Sequence, residues 1–291
     1  MLAENDPPLL SSQYLLASAY ASNRQTKESI KLLEHMVAIR SDLAENHPDR
    51  LASQHILARV YRLNGQIKES IKLLEHEVAV QVDLGENHPD RLASQHELAS
   101  AYLSNGQIKD AIKLLEHVVA VKADILAENH PDRLASQHEL ASAYLSKGQM
   151  KDAIKLLEHV VAVEADILPE NHPHRLISQN CLAVAYDSDG RLEDAIKLRE
   201  HVVAVRTGIL PEDDLYPLLS EFELGVAYIR NGQTKEATEI LEHVVAVQAV
   251  TLSEDHPDRR QSIEVLQYCY CMLEDDRVSE GLRQLLLMKY S

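Results

Sequence analysis

The sequence predicts an all-α protein built as a solenoid of antiparallel helix pairs. Composition is the first observation: 45% of the 291 residues are hydrophobic, but only 4% are aromatic, so Ala, Leu, Val and Ile must supply most of the core. Ala and Leu favour helices. The second observation is a repeat, in which a Tyr recurs every 41 or 42 residues from Tyr20 to Tyr270. A fixed period of this length is typical of proteins whose repeats stack on their neighbours.

The period divides the chain, read as a single array over 1–291, into seven repeats. Their approximate bounds are 6–46, 47–87, 88–129, 130–171, 172–213, 214–255 and a degenerate C-terminal capping repeat at 256–291. The third and fourth repeats differ only at Asn105/Lys147, Ile108/Met150, Lys122/Glu164 and Ala127/Pro169. Such identity indicates a recent duplication, which leaves little time for separate chemistries to evolve.

The first helix of each repeat is predicted to begin at the motif His-Pro-Asp. The motif supplies a polar cap residue, a Pro at the first helical position and an acid near the positive end of the helix dipole. In the third repeat, apolar residues from Leu92 to Tyr102 keep helical spacing, and Gly106 then provides the left-handed conformation that ends helices. The same stop recurs at Gly65, Gly148, Gly190 and Gly232. Arg24 replaces it in the first repeat, and Leu215 takes the place of the Pro in the sixth.

The second helix is predicted from an apolar stripe about 18 residues long, or about 27 Å, which runs from Ile108 to Ile125 in the third repeat. Small residues mark close helix crossings. They are Ala17, Ala58, Ala99, Ala141, Ala183 and Gly225 before the Tyr, and Ser29, Ser70, Ala111, Ala153, Ala195 and Ala237 after it. Arg199 interrupts the stripe where other repeats have Leu. A buried charge must reach solvent or find an acid, and we expect Arg199 to reach solvent.

These features resemble a known family, the tetratricopeptide repeat (TPR), in residues Leu98, Ala99, Tyr102, Gly106, Ala111 and Leu115. Gln95 stands where the usual early Trp would be. The 42-residue period, with Glu-Asn-His-Pro-Asp between repeats, resembles the kinesin light chain type of TPR. Similar self-identical arrays occur at the C-terminal ends of fungal NACHT or NB-ARC signalling ATPases, the NLR-like proteins. The resemblance implies a right-handed superhelix whose first helices line a concave face.

Charge and cysteine content narrow the possible functions. The formal net charge is -17, and an acidic chain repels phosphate backbones and anionic membrane surfaces, so neither nucleic acid nor membrane is an expected partner. No apolar run is long enough to span a bilayer, and the N-terminus lacks a signal-peptide pattern. The three cysteines, Cys181, Cys269 and Cys271, do not suit a disulfide framework. Reduced thiols and a cytoplasmic location are predicted.

The fifteen histidines do not predict a metal site. His96 and Glu97 resemble the start of a zinc-protease helix, which needs a second His four residues after the first. Ser100 follows His96 at that spacing, and Ser142 follows His138. The sequence also has no nucleophile–base pair and no Gly-rich phosphate loop. We therefore predict no catalytic residue, no metal, no cofactor and no enzymatic activity.

The resemblance places three positions of each first helix on the concave face: six and two residues before the Tyr, and one after it. Arg59 and Arg62 form a cationic spot there. In the fifth and sixth repeats the face carries apolar residues, namely Ile177, Val184, Leu219, Phe222, Val226 and Ile229. The candidate ligand-binding residues are His55, Arg59, Arg62, His96, Ser100, His138, Ser142, Asn180, Val184, Phe222 and Val226. Alternatively, the arginines only balance local acids, and the apolar residues belong to the core between repeats.

The leading functional hypothesis is a non-catalytic scaffold that binds a protein or an extended peptide in the groove. Met1 aligns with the end of a second helix, so the chain starts in the middle of the repeat pattern. We therefore expect the array to be the ligand-sensing or partner-binding domain of a larger signalling protein. One alternative is a module that forms homo-oligomers through its terminal repeats, where the apolar sequence LRQLLLMKY could dock. Another is a cargo adaptor like kinesin light chain. Its preference for acidic cargo is not carried over, because Glu97 and Glu139 occupy a position where that family uses Asn.

Overall fold

The structure is a computed structural model of the chain, and it describes residues 7–23, 25–211 and 214–273. Within these ranges it contains thirteen α-helices and no β-strand, which confirms the predicted all-α class. Arg24 and residues 274–291 lie outside the described residues, and the latter include half of the predicted capping repeat and the apolar sequence near the C-terminus. The N-terminal stretch at 1–6 also lies outside them.

The helices group into two compact units, Met1–Gln149 and Met150–Ser291, called here the first unit and the second unit. In the first unit the first helices of the repeats are Pro7–Ser22 (α1), Pro48–Leu63 (α3), Pro89–Ser104 (α5) and Pro131–Lys147 (α7). Its second helices are Thr26–Ile39 (α2), Ile67–Val80 (α4) and Ile108–Ile125 (α6). Short 3₁₀ turns at Arg40–Asp42 and Gln81–Asp83 follow α2 and α4. Each helix packs against the next one along the chain.

The second unit repeats this arrangement. Its second helices are Met150–Ile167 (α8), Leu192–Ile209 (α10) and Thr234–Thr251 (α12). Its first helices are Pro173–Ser188 (α9), Leu215–Arg230 (α11) and Pro257–Leu273 (α13). Here too each helix packs against its successor, so both units are built from helix pairs as an all-α repeat solenoid.

The His-Pro-Asp motif begins the first helices as the sequence predicts. Nδ1 of His88 accepts a hydrogen bond from the backbone N–H of Asp90 at 3.3 Å, and Pro89 occupies the first helical position, where no N–H is required. The caps of α3, α7 and α9 are the equivalent residues His47, His130 and His172. A short local motif therefore fixes where these first helices start.

The sixth repeat lacks this motif and uses a different cap. The side chain of Asp214 accepts from the backbone N–H of Tyr216 at 2.9 Å and begins α11. An Asp at this position satisfies the same free N–H group as the His does elsewhere.

Glycines end the first helices as predicted. Gly106 has φ of +76°, and the N–H of the following Gln107 donates to the Tyr102 carbonyl at 2.9 Å, which closes the end of α5. The same positive φ occurs at Gly65, Gly148, Gly190 and Gly232. Because a side chain is strained in this conformation, glycine sets the sharp turn into the second helix.

The core follows the predicted stripe of large and small residues. Leu74, Leu115 and Leu157, on successive second helices, are fully buried. The small residues before the Tyr are also buried. At Gly225 an added Cβ would lie 2.8 Å from Cγ of Leu241, so only glycine fits this crossing of α11 and α12.

The repeated Tyr links each repeat to the preceding one through a glutamate of the second helix, which lies in a repeated Leu-Glu-His motif that becomes Arg-Glu-His in the fifth repeat. The hydroxyl of Tyr61 donates to Oε1 of Glu34 at 2.7 Å, and burial, followed by this hydrogen bond, raises the pKa of Tyr61 to about 12. The other pairs are Tyr102–Glu75, Tyr144–Glu116, Tyr186–Glu158, Tyr228–Glu200 and Tyr270–Glu242. The motif thus has a structural use in contacts between repeats.

Candidate functional site

The candidate site is the set of positions predicted for ligand contact on the first helices, called here the first-helix face. In the first unit Arg59 and Arg62 share one carboxylate. Nε of Arg59 lies 3.4 Å from Oε1 of Glu97, and Nη2 of Arg62 lies 3.3 Å from Oε2. The Arg59 side chain remains 50% exposed. The two arginines therefore balance a local acid in part, yet one guanidinium stays open to solvent.

The next residues along this face are held by neighbouring side chains. Ser100 is buried and donates to Oε1 of Glu139 at 2.8 Å. The ring of His96 is half-buried, with Nδ1 lying 3.3 Å from Oγ of Ser136. Burial and the charge of Lys122 lower the pKa of His96. His138 and Ser142, the last candidates in this unit, are half-buried on α7.

Glu77 is a functional candidate that our sequence analysis missed. Its carboxylate is buried, with Oε1 accepting from Ser94 Oγ at 2.8 Å and lying 3.2 Å from Nδ1 of His55. Other repeats hold an aliphatic residue or Met at this position, namely Met36, Val118, Val160, Val202 and Val244. Aligning the repeats position by position would have revealed this single acid in a core stripe.

The Glu77 carboxylate controls the charge of His55. Burial alone lowers the pKa of His55, but the hydrogen bond and the negative charge of Glu77 outweigh burial, and the pKa is raised. His55 and His96 occupy equivalent positions in consecutive repeats, yet their pKa values shift in opposite directions. The second helix behind each histidine decides the direction.

Arg199 corrects the expectation that its side chain would reach solvent. It is buried, with Nη1 lying 3.2 Å from Oε2 of Glu223 and 3.5 Å from Oδ1 of Asn180. Nη2 lies 4.0 Å from Oδ2 of Asp187, which also pairs with Arg230. The guanidinium thus finds acids on both neighbouring first helices, because it points between α9 and α11 and not along the outer surface.

The apolar residues of the second unit divide into two groups. Ile177, Val184 and Leu219 are 48%, 39% and 49% exposed. Phe222 and Ile229 instead pack against the core cluster around Leu241, and Val226 is half-buried. Three of these side chains are therefore exposed to solvent, and two belong to the core.

The comparison with known protein families decides the classification. The tetratricopeptide repeat family matches residues 8–81, 57–124, 90–166 and 132–208, and a second tetratricopeptide repeat description matches residues 223–258. The chain belongs to the tetratricopeptide repeat family. A search of the curated proteins gives no match.

Solved structures place this TPR array beside kinesin light chain-like repeats. A crystal structure of nearly identical TPR-like repeats from a Podosopora anserina kinesin light chain protein is 51% identical, with a TM-score of 0.66. The match covers 72% of this chain and 100% of that one. BtubC (BKLC) from P. vanneervenii is 17% identical with a TM-score of 0.61, covering 85% and 94%, and shares the fold. The predicted kinesin light chain-like type is confirmed.

In the described part of the TPR array, no group of three or more His, Cys, Asp or Glu side chains is placed to hold a metal ion. Over the same residues, no helix is both long enough and apolar enough to cross a membrane.

Proposed function

We propose that this TPR array is a non-catalytic scaffold that binds an extended segment of a partner protein on its first-helix faces. The observation that carries the proposal is that Ile177, Val184 and Leu219, on the first helices α9 and α11, are 48%, 39% and 49% exposed. Neighbouring exposed apolar side chains often mark protein interaction sites. Grooves lined by helices bind protein segments through such anchors.

The first unit supports the proposal with charge. The half-exposed Arg59 guanidinium has its Nε near Glu97, which leaves further donors free for an acidic group of a partner. The two units would then contact different parts of a partner: an acid near Arg59 and Arg62, and an apolar side chain near Val184.

Peptide selection followed by matched variants tests this function. Peptides selected from a random displayed library on the purified array would be titrated against Val184→Ser with Leu219→Ser, and against Arg59→Ala with Arg62→Ala. We expect each pair to weaken binding about tenfold or more, as hot-spot residues do. The controls are Val250→Ser and Lys72→Ala, exposed residues of the second helices α12 and α4. If the controls weaken binding as much as the test pairs, the first-helix faces are not the site.

We also propose that the array is the ligand-sensing part of a larger signalling protein. The support is the near identity of the repeats at 88–129 and 130–171, which favours gain and loss of whole repeats and suits a sensor of variable ligands. A cargo adaptor like kinesin light chain is the second candidate, supported by the 51% identity above. Transcripts that join this array to a nucleotide-binding domain would support the first, and transcripts without one would contradict it.

Self-assembly is a further candidate function, favoured by exposed apolar residues on the terminal helices. Leu15 and Leu16 are 69% and 46% exposed on α1, and Tyr268 and Met272 are 53% and 58% exposed on α13. Light scattering at several concentrations tests it, since a monomer at micromolar concentration contradicts it.

Cys181, Cys269 and Cys271 are unpaired in the structure, which supports the proposed reducing, cytoplasmic location.

A further inference from the structure

The first unit contains a cavity lined in part by His55 that the proposed peptide contacts do not explain. Its volume is about 470 Å³, within the range of small-ligand sites. Residues of α1, α3 and α5 line it, together with Glu77 of α4 and Gln81. The lining residues include Asp49, Glu77 and Asp90 but no Lys or Arg. The cavity is therefore chemically acidic.

The buried carboxylate of Glu77 is only partly satisfied by the protein. Ser94 Oγ donates to Oε1 at 2.8 Å, and Nδ1 of His55 lies 3.2 Å from Oε1 and 3.3 Å from Oε2. An ionised carboxylate has about four acceptor sites, so these partners leave acceptor capacity on Oε2. Burying such a group is unfavourable unless it is well paired.

Gln81 adds an independent acceptor at the same place. Its side chain is 3% exposed and lines the cavity, and its Oε1 has no hydrogen-bond partner. An unpaired buried carbonyl destabilises the fold, because it has lost its hydrogen bonds to water. A ligand that donates several N–H groups would satisfy both Gln81 and the remaining capacity of Glu77.

We propose that this cavity binds a cationic side chain of a partner protein, with the guanidinium of an arginine as the preferred group. A guanidinium carries five N–H donors in a planar fork that matches a carboxylate and a neighbouring carbonyl. The exposed Asp49 and Asp90 lie in the first turns of α3 and α5, where their charge offsets the positive helix ends and attracts a cation. The proposal rests on the proposed function in one respect, since a bound protein segment carries the cation.

His55 makes this binding depend on pH. Protonated His55 neutralises Glu77 and competes with an entering cation, so cation affinity is expected to rise as pH rises through the raised pKa of His55 and the ring loses its proton. The charged groups that act on His55 are Glu77, Glu97 and Arg59. The other titratable groups of the cavity are Tyr14, Asp49, His88 and Asp90.

A small probe tests the cavity without any peptide. n-Butylguanidinium would be titrated into the ¹⁵N-labelled chain, with n-butylurea as a neutral probe of the same shape. We expect shifts at the Gln81 side-chain amide and the Ser94 backbone amide, and binding about tenfold tighter than that of n-butylurea. Equal affinity for the two probes would overturn the proposal.

Matched variants locate the binding. Glu77→Gln keeps the shape of the side chain, and Glu77→Val installs the residue that other repeats carry, so both are expected to fold, as checked by circular dichroism. Both should abolish the preference for n-butylguanidinium. Asp124→Asn removes the same charge from an exposed residue outside the cavity and should change affinity by less than about twofold. Equal loss in Asp124→Asn would show non-specific attraction instead.

The probe result also separates this proposal from the general function. Probe binding that requires Glu77, in an array that binds no selected peptide, would support the cavity and contradict the peptide-binding function. Peptide binding that requires Arg59 and Val184, with no preference for the cationic probe, would support the peptide-binding function and contradict the cavity proposal.

Discussion

Glu77 in the first unit and Arg199 in the second are both buried charges where other repeats hold aliphatic or Met side chains. Arg199 is met by fixed acids, with Glu223 at 3.2 Å and Asp187 at 4.0 Å. Glu77 is met by a titratable histidine and a serine, and it borders a cavity of about 470 Å³. Arg199 is thus enclosed in a network of ion pairs, whereas Glu77 borders a space that a ligand can enter.

The two charges have one feature in common. Each comes from a second helix, yet each contacts the residue six positions before the repeated Tyr on a first helix: His55 in one case and Asn180 in the other. A change in the second helix thus alters the chemistry of the first-helix face without adding an exposed residue. This gives near-identical repeats a way to differ in recognition while keeping the same fold.

The largest expected effect is at Arg199. Replacement by Ala removes a buried partner of Glu223 and leaves a cavity, so Arg199→Ala should lower the free energy of unfolding by about 3 kcal/mol. Arg199→Leu restores the residue of the other repeats and fills the cavity, so it should cost less than Arg199→Ala by about 2 kcal/mol. Urea unfolding of both variants measures this. Equal destabilisation by Ala and Leu would mean that the ion pairs are needed for stability.

Glu77 should respond differently, because its partners are not fixed charges. Glu77→Val removes a partly satisfied buried carboxylate and should raise the free energy of unfolding by about 1–2 kcal/mol at neutral pH. Glu77→Gln, which keeps the volume, serves as the control in the same urea experiment. A loss of stability in Glu77→Val would show that Glu77 is matched as completely as Arg199.

Lys122 and Glu164 offer a milder form of the contrast, since these equivalent buried residues carry opposite charges. Burial lowers the pKa of Lys122 and raises that of Glu164. A raised carboxyl pKa means that stability is gained as pH falls through the folded pKa towards the unfolded pKa, and that this gain is absent above the folded pKa. Glu164→Gln should therefore stabilise by about 1 kcal/mol at neutral pH and remove this gain on acidification. Thermal unfolding from about pH 4 to about pH 7 measures how stability changes with pH in Glu164→Gln and in the unmodified chain, and Lys122→Gln is the comparison.

The smallest expected effect is at the two histidines of equivalent position. The raised pKa of His55 contributes stability that is present below its unfolded pKa and lost as pH rises through the folded value. The lowered pKa of His96 has the reverse consequence, with stability lost as pH falls below the unfolded value. Hence His55→Gln should lose most stability at about pH 5.5 and His96→Gln at about pH 8, each by less than about 1.4 kcal/mol. If the stability loss changes with pH in the same direction in both variants, Glu77 does not raise the pKa of His55.

The sequence by itself determined the repeat, the helix ends and the core pattern. These features depend on local signals: Pro89 and His88 start a helix, Gly106 ends it, and Leu115 returns at a fixed spacing. Each signal acts within a few residues, so it can be read without knowing how the repeats pack.

Only the tertiary structure decided which charges meet. Arg62 contacts Glu97 across 35 positions of sequence, and Arg199 reaches Glu223 across 24, against the expectation that it would point to solvent. It also separated the exposed Val184 from Phe222, which the sequence placed on the same face. Side-chain direction and neighbouring helices set these contacts. Burial then makes them costly or useful, because a charge removed from water interacts strongly with the nearest partner that packing provides.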